Sequence, residues 1–281
     1  MDEAYTDLLG AIPDVDYPII WRFSLLLIIR MAPIVGIAPF LGAKLVPTSA
    51  RAGLALALAA VFLPYALYVN PDFNLTDNSF IVLACKEAII GTMLGFFSSI
   101  PFYVVQSSGI LIDYMRGSSM LMAQDPALQN QASPIGIMFN YYLIVMFYMV
   151  DGPFMFFDAV QTSLEIFPVA GGINPAIFHF NNPLWKACMG IMEYVFAMSL
   201  QMAAPCIVAI LMAEMFLGIA NRLAPQVQIA FLGMSLKSLL GLMLLWAAWF
   251  IMLKQMSSIT VDWMHNLNSL IKQIPLHATT P

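Results

Sequence analysis

The chain has 281 residues, 61% hydrophobic and 10% charged, whereas soluble globular domains carry roughly 25% charged residues, so an ordinary soluble domain is excluded and a membrane-type helical protein is expected. Its 16 acidic and 11 basic residues give a net charge of −5 with no basic stripe, which argues against a nucleic-acid partner. The cysteines, Cys85, Cys188 and Cys206, and the histidines, His179, His265 and His277, are scattered, so neither a disulfide framework nor a metal site is expected.

Five acidic residues precede Tyr17 (Asp2, Glu3, Asp7, Asp14, Asp16) and no basic residue occurs before Arg22. This is the reverse of a secretory signal, and no cleaved leader is expected. The first apolar segment, 18–43, is long enough to span a bilayer but is interrupted by Arg22, Arg30, Pro33 and Pro39. A clean lipid-facing helix is therefore not expected there. The second segment, 52–69, is uncharged with one proline, Pro64, and leads into a turn-rich connector at 70–78 that belongs in water. The third, 79–114, would measure about 50 Å as a helix, against a hydrocarbon core of about 30 Å. Either Pro101 divides it or it is not seated in lipid as ordinary spans are. Gly91 and Gly95 have the spacing of close-packed membrane helices, with a helix of the same chain as the expected neighbour.

The stretch 109–134, GILIDYMRGSSMLMAQDPALQNQASP, joins two apolar segments. Its backbone cannot go unpaired in lipid, so it lies in water, packs within protein or lines an aqueous passage; the last reading is the one developed. Asp113 and Arg116 are three residues apart and can pair on one helical turn. Apolar sequence resumes from Ile135 to about Phe157, ending near Asp151-Gly152-Pro153. Turn formers among 158–183 predict short pieces and mark the main internal boundary. The expected organisation is an N-terminal helical part over 1–165, a connector over 166–183, a C-terminal helical hairpin over 184–257 and a tail over 258–281. In the tail, Ile259, Trp263, Leu267, Leu270 and Ile274 recur at helical spacing, predicting a short amphipathic helix for a membrane surface or a partner.

Lys86, Glu87, Glu193, Glu214 and Lys237 interrupt apolar helices. Intramembrane charge costs from about 2.5 kcal/mol upward, so such groups face protein or water and find partners. Two readings compete. One makes them structural pairs: Lys86 or Glu87 with a neighbour, Glu214 with Arg222 across the hairpin turn, Glu193 with Lys237 between its arms. The other makes them an ion relay, as in a secondary transporter. Their dispersal along the chain favours the first. No phosphate loop, metalloprotease helix or nucleophile elbow is present, and an enzyme is not expected.

Three blocks carry a family resemblance: RMAPIVGIAPFLGAKLVPTSARAGLALALA at 30–59, ILIDYMRGSSMLMAQDP at 110–126, and AEMFLGIANRLAPQVQIAFLGMSLKSLLGL at 213–242. They resemble the FliR/SctT export-apparatus proteins of flagellar and type III secretion systems. Asp113, Arg116 and Gly117 followed by Asp125-Pro126 point to the type III branch. The resemblance implies an all-α, integral-membrane-type protein of kinked helical hairpins, built for packing into a helical export gate of the bacterial inner membrane. It implies a non-enzymatic subunit without cofactor, with an SctR-like N-terminal part and an SctS-like C-terminal hairpin. The implied partners are SctR-like and SctS-like subunits, an SctU-like switch protein, an SctV-like export subunit and the unfolded proteins that pass through. Met115, Arg116, Gly117, Ser118, Ser119, Met120, Leu121, Met122 and Asp125 would form the loop that helps to close the pore, with pliable Met side chains as the seal. Asp113, Glu193, Glu214, Arg222 and Lys237 would hold assembly geometry. The alternative is a stand-alone multi-pass carrier of a small solute.

Overall fold

A computed structural model describes residues 17–42, 46–69, 80–117, 133–169, 171, 183–223 and 229–272. The elements in chain order are α1 (Tyr17–Ile37), a 3-10 turn (Pro39–Leu41), α2 (Thr48–Val69), α3 (Phe80–Met115), α4 (Pro134–Met149), α5 (Gly152–Ile166), α6 (Pro183–Leu223) and α7 (Ile229–Lys272). The protein is all-α over these residues, as its composition predicts. Five helices are long and apolar enough to cross a membrane, and a sixth span is present if the bent pair α4 and α5 counts as one.

Prolines and glycines set the helix limits. α1 tolerates Pro33 but stops at Ile37, because Ala38 turns extended ahead of Pro39. Gly42, in the left-handed region at φ 84°, closes the following turn by donating its N–H to the Pro39 carbonyl. Pro101 does not divide the third segment: α3 runs 36 residues without interruption. The segment after the central loop is broken instead, at Asp151, the one non-glycine residue with positive φ among those described. Asp is among the side chains that tolerate this conformation, and Pro153 suits a helix start because its missing N–H is not needed there. α5 then continues to Ile166 through residues expected to form short pieces. Its Ala159, Val160, Ser163 and Leu164 recur at steps of one turn and are buried, and because no Gly, Pro or Asn stands between Asp158 and Phe167 the helix runs on until just before Pro168.

Packing separates the described residues into two compact units. The first draws on Met1–Ser99, Asp151–Met189 and Trp263–Pro281. In it α1 packs on α2, and α2 on α5. α1 buries Phe23, Leu26, Leu27, Arg30, Met31, Ile34 and Val35, a stripe at three- and four-residue steps in which one position is a cation. Gly91 and Gly95 let α3 lie against α1: a Cβ at Gly91 would enter the Arg30 carbonyl, and one at Gly95 would meet Ile34 Cα at 3.2 Å and Pro33 O at 3.3 Å. The tail is not a separate helix; it is the end of α7. Its apolar face, predicted for a membrane or a partner, is taken by the chain itself. Ile259, Trp263 and Leu267 are buried, Trp263 Nε1 donates to the Phe97 carbonyl at 2.8 Å, and Asn268 donates to Asp158 at 2.6 Å. Leu270's side chain and Ile274 lie outside the described residues.

The second unit draws on Ile100–Val150 and Gly190–Asp262. Phe102 of α3 meets Phe147 of α4 with ring centroids 5.6 Å apart, and Tyr142 of α4 meets Trp249 of α7 at 4.7 Å. α3 and α4 touch backbone to backbone at two glycines: a Cβ on Gly109 would stand 2.6 Å from Gly136 Cα.

Candidate functional site

In the first unit a charge cluster is enclosed within the apolar core. The Arg30 guanidinium engages both oxygens of Glu87 through Nε and Nη2 and donates to the main-chain carbonyls of Ser163 and Phe167. Lys86 Nζ lies 3.0 Å from Glu87 and donates to the carbonyls of Pro168, Val169 and Gly171 at 2.7, 2.9 and 2.8 Å. All three side chains are at most 3% exposed. Two cations thus share one carboxylate, and the remaining charge is solvated by carbonyls at and beyond the end of α5, where the helix dipole favours positive charge. Main-chain carbonyls hold an ammonium but pass on no proton, so this geometry suits a lock between α1, α3 and α5 better than a relay. Sequence reasoning expected a neighbour for Lys86 or Glu87 but took Arg30 only as an interruption. The signal was its place on the three- and four-step apolar stripe of α1.

In the second unit the site gathers where the central stretch leaves α3 and enters α4. α3 ends at Met115; Arg116 and Gly117 form the turn, with Gly117 left-handed at φ 85° and its N–H donated to the Tyr114 carbonyl. This is the glycine stop that sequence logic associates with helix ends. Asp113, 2% exposed, lies on the last turn. One carboxylate oxygen accepts from Arg116 Nη2 at 2.5 Å, and the other accepts from the Ser133 hydroxyl and from the Ile135 N–H at 2.9 Å. Ser133 also caps α4, its hydroxyl oxygen accepting from the Gly136 N–H at 2.9 Å, with Pro134 in the first turn. The Arg116 stem lies over a notch in α7: a Cβ on Gly241 would stand 2.8 Å from Arg116 Cγ and Cδ. Met115 is half-buried. Ser118, Ser119, Met120, Leu121, Met122 and Asp125, which the sequence assigns to the same loop, lie outside the described residues.

The third charged feature bridges the C-terminal hairpin. Lys237 donates to Glu214 at 2.5 Å, a pairing that replaces both expected ones, Glu214 with Arg222 and Glu193 with Lys237. Hairpin register explains it. Leu217 faces Gly233, Glu214 faces Lys237 and Ile210 faces Gly241, so the residue numbers of each facing pair sum to 450 or 451 and the three share one register. Arg222 is eight residues from Glu214 on the same helix, about 12 Å along its axis. Glu193 lies six turns further from the hairpin end than Glu214 does, too far along the arm to face Lys237. Both Glu193 and Arg222 are exposed.

Long apolar helices, a buried charge cluster that ties α1 to α3 and α5, and an anchored turn between α3 and α4 define an all-α membrane-type protein. The chain belongs to the family described as bacterial export proteins, family 1, which it matches over residues 22–262. It is 28% identical over 201 residues to Yop proteins translocation protein T of Yersinia pestis, covering 69% of this chain and 73% of that protein. It is 28% identical over 209 residues to surface presentation of antigens protein SpaR of Salmonella typhimurium (74% and 76%). It is 27% identical over 252 residues to flagellar biosynthetic protein FliR of Bacillus subtilis (88% and 95%). The resemblance drawn from the three sequence blocks is borne out: this is an export-apparatus protein of the FliR/SctT family.

Proposed function

We propose that the chain is a non-enzymatic subunit of the type III secretion export gate in the bacterial inner membrane. It packs with SctR-like and SctS-like subunits around the path of unfolded export substrates, beside the SctU-like and SctV-like proteins. Its N-terminal part takes the SctR-like role and its C-terminal hairpin the SctS-like role, with Glu193 and Arg222 on the outside of α6 as subunit contacts.

One observation carries this reading over a solitary carrier. α6 exposes large apolar side chains from Met189 to Leu223, among them Phe196, Val208, Met212 and Phe216. That is about 50 Å of helix at 1.5 Å per residue. Even at the steepest usual tilt, about 40°, a helix crosses a 30 Å hydrocarbon core in roughly 39 Å. The hydrocarbon core therefore cannot cover the whole face, and packing against other subunits is the reading that covers the remainder without placing apolar side chains among headgroups. α7 is barer still, its apolar span only 17% buried. Co-expression with the SctR-like and SctS-like proteins of the same genome, followed by native mass determination in detergent, tests the proposal. A complex holding this chain with several copies of both supports it; a well-behaved particle of this chain alone, indifferent to them, transfers the case to a small-solute carrier.

Within that gate, residues 115–125 form part of the barrier. Gly117, Ser118 and Ser119 permit close backbone approach, and Met115, Met120, Leu121 and Met122 seal it with side chains that yield readily, flanked by Arg116 and Asp125. Replacing Met120, Leu121 and Met122 together by Gly is expected to make the assembled gate leak ions; unchanged permeability refutes the assignment.

A further inference from the structure

We infer that Asp113 is a positioning residue that ties both ends of the central stretch, 118–132, to a single point; the inference rests on the barrier reading above for its consequence. Its two carboxylate oxygens divide the task. One holds Arg116, beside the exit from α3, and the other holds the Ser133 hydroxyl and the Ile135 N–H, at the entry to α4. The described residues on either side of 118–132 thus meet at one buried side chain.

The rest of the neighbourhood favours the second oxygen as the one that matters. Ile135 is in the first turn of α4, where backbone N–H groups have no helical acceptor and must find one elsewhere. Ser133 uses its hydroxyl twice, donating to Asp113 and accepting from the Gly136 N–H, so the carboxylate also orients the cap. The Gly109 and Gly136 contact brings the two backbones together one turn further along, so that a side chain as short as Asp can reach across. Arg116 is held less completely: its Nε is buried and makes no hydrogen bond among the described residues. The clasp therefore depends on the carboxylate standing on α3, and an ion pair of the same composition with its charges exchanged would not reproduce it. A carboxylate at 116 stands beyond the helix end, where the turn carries it away from the position that 113 occupies.

Amide hydrogen exchange on the full-length protein, purified in detergent with any partners it retains, tests this. Asp113→Asn is expected to raise exchange at Ile135 and Gly136 by roughly ten- to a hundredfold, the effect of losing hydrogen bonds to a charged group. Amides of α1 and α2 are expected to keep their wild-type protection, which a general loss of stability would not allow. Arg116→Gln is expected to change Ile135 by less than about threefold, and the exchanged pair D113R/R116D to remain as unprotected as Asp113→Asn. Unchanged protection at Ile135 in Asp113→Asn, or restoration by the exchanged pair, overturns the clasp. If Asp113→Asn does not accumulate, Asp113→Glu keeps the charge and moves the acceptor by one methylene. Raised exchange there supports the clasp, and wild-type exchange overturns it. Ion leakage of the same variants separates the two readings. A leak from the Met120, Leu121 and Met122 glycine variant with none from Asp113→Asn would deny the clasp its consequence for the barrier. No leak from the glycine variant refutes the barrier, and the exchange result alone then decides whether Asp113 holds the two helix ends.

Discussion

Replacing Glu87 by Ala tests the enclosed charge cluster most directly. Glu87 is fully buried and serves as the carboxylate for both Arg30 and Lys86. Its removal leaves two cations facing each other in a buried site, a change of the kind that destabilises by about 3–5 kcal/mol when one partner of a buried pair is removed. Arg30 and Lys86 keep their main-chain carbonyl acceptors, which places the expectation near the lower end, about 3 kcal/mol. At roughly 2–4 °C per kcal/mol for a chain of this size, the melting temperature falls by about 6–12 °C. The full-length protein in detergent, followed by tryptophan fluorescence with size-exclusion recovery as a second readout, gives the measurement. Glu87→Gln keeps the volume and an acceptor and is expected to fall between Ala and wild type. The paired change Arg30→Met with Glu87→Leu does not rescue fully, because Lys86 loses its carboxylate partner and the Phe167 carbonyl loses its donor, the latter at about 1–3 kcal/mol for an unpaired buried group. A shift under about 2 °C for Glu87→Ala, where about 6 °C is the least expected, shows that the cluster is not a lock.

Three further outcomes follow from the geometry. Gly91→Ala drives a methyl into the Arg30 carbonyl and is expected to destabilise by about 1–3 kcal/mol or more, whereas Gly95→Ala, with neighbours at 3.2–3.3 Å, is expected to be milder; equal melting temperatures for the two contradict the helix contact described. Lys237 and Glu214 are 26% and 38% exposed, so each single charge reversal is expected to destabilise by about 1 kcal/mol or less. The double reversal recovers most of that loss, while Arg222→Glu leaves the isolated protein's stability unchanged. Trp263→Phe removes the hydrogen bond to Phe97 at a loss of about 1 kcal/mol, and faster proteolysis within 263–272 reports it.

Much of the fold was legible because lipid-compatible helices declare themselves by length and apolarity. Most of the described helices fall on the apolar segments despite the charges and prolines within them, and Gly91 and Gly95 signalled a close contact without naming its partner. Other features were not legible because they depend on burial rather than on local propensity. α5 continues past Asp158 because 158–167 holds no Gly, Pro or Asn, while the turn formers that marked a boundary begin only at Pro168; that Ala159, Val160, Ser163 and Leu164 share one covered face was not visible from spacing alone. The described part of the tail continues α7 to Lys272, which the spacing of its apolar residues could not foretell, because periodicity reports a buried face without naming what covers it. Ion-pair partners followed the same rule. Lys237 faces Glu214 through the register of the hairpin, and Arg30 reaches carbonyls far along the chain, distances to which residue spacing is blind. Asp113 was seen as the partner of Arg116, three residues away; its hold on Ser133 and Ile135 required the two helices to be placed side by side.

The cluster around Arg30 also sets a timetable for synthesis. Glu87 is made 57 residues after Arg30, and the Phe167 carbonyl 137 residues after it. At roughly 5–20 residues per second, the guanidinium waits about 7–27 s between its own emergence and that of its last acceptor. Throughout that interval a charge destined for a dry interior needs other company, whether water, lipid headgroups or the polar groove of an insertion machine. The first helix of this protein therefore reaches its final environment only when the fifth has been translated.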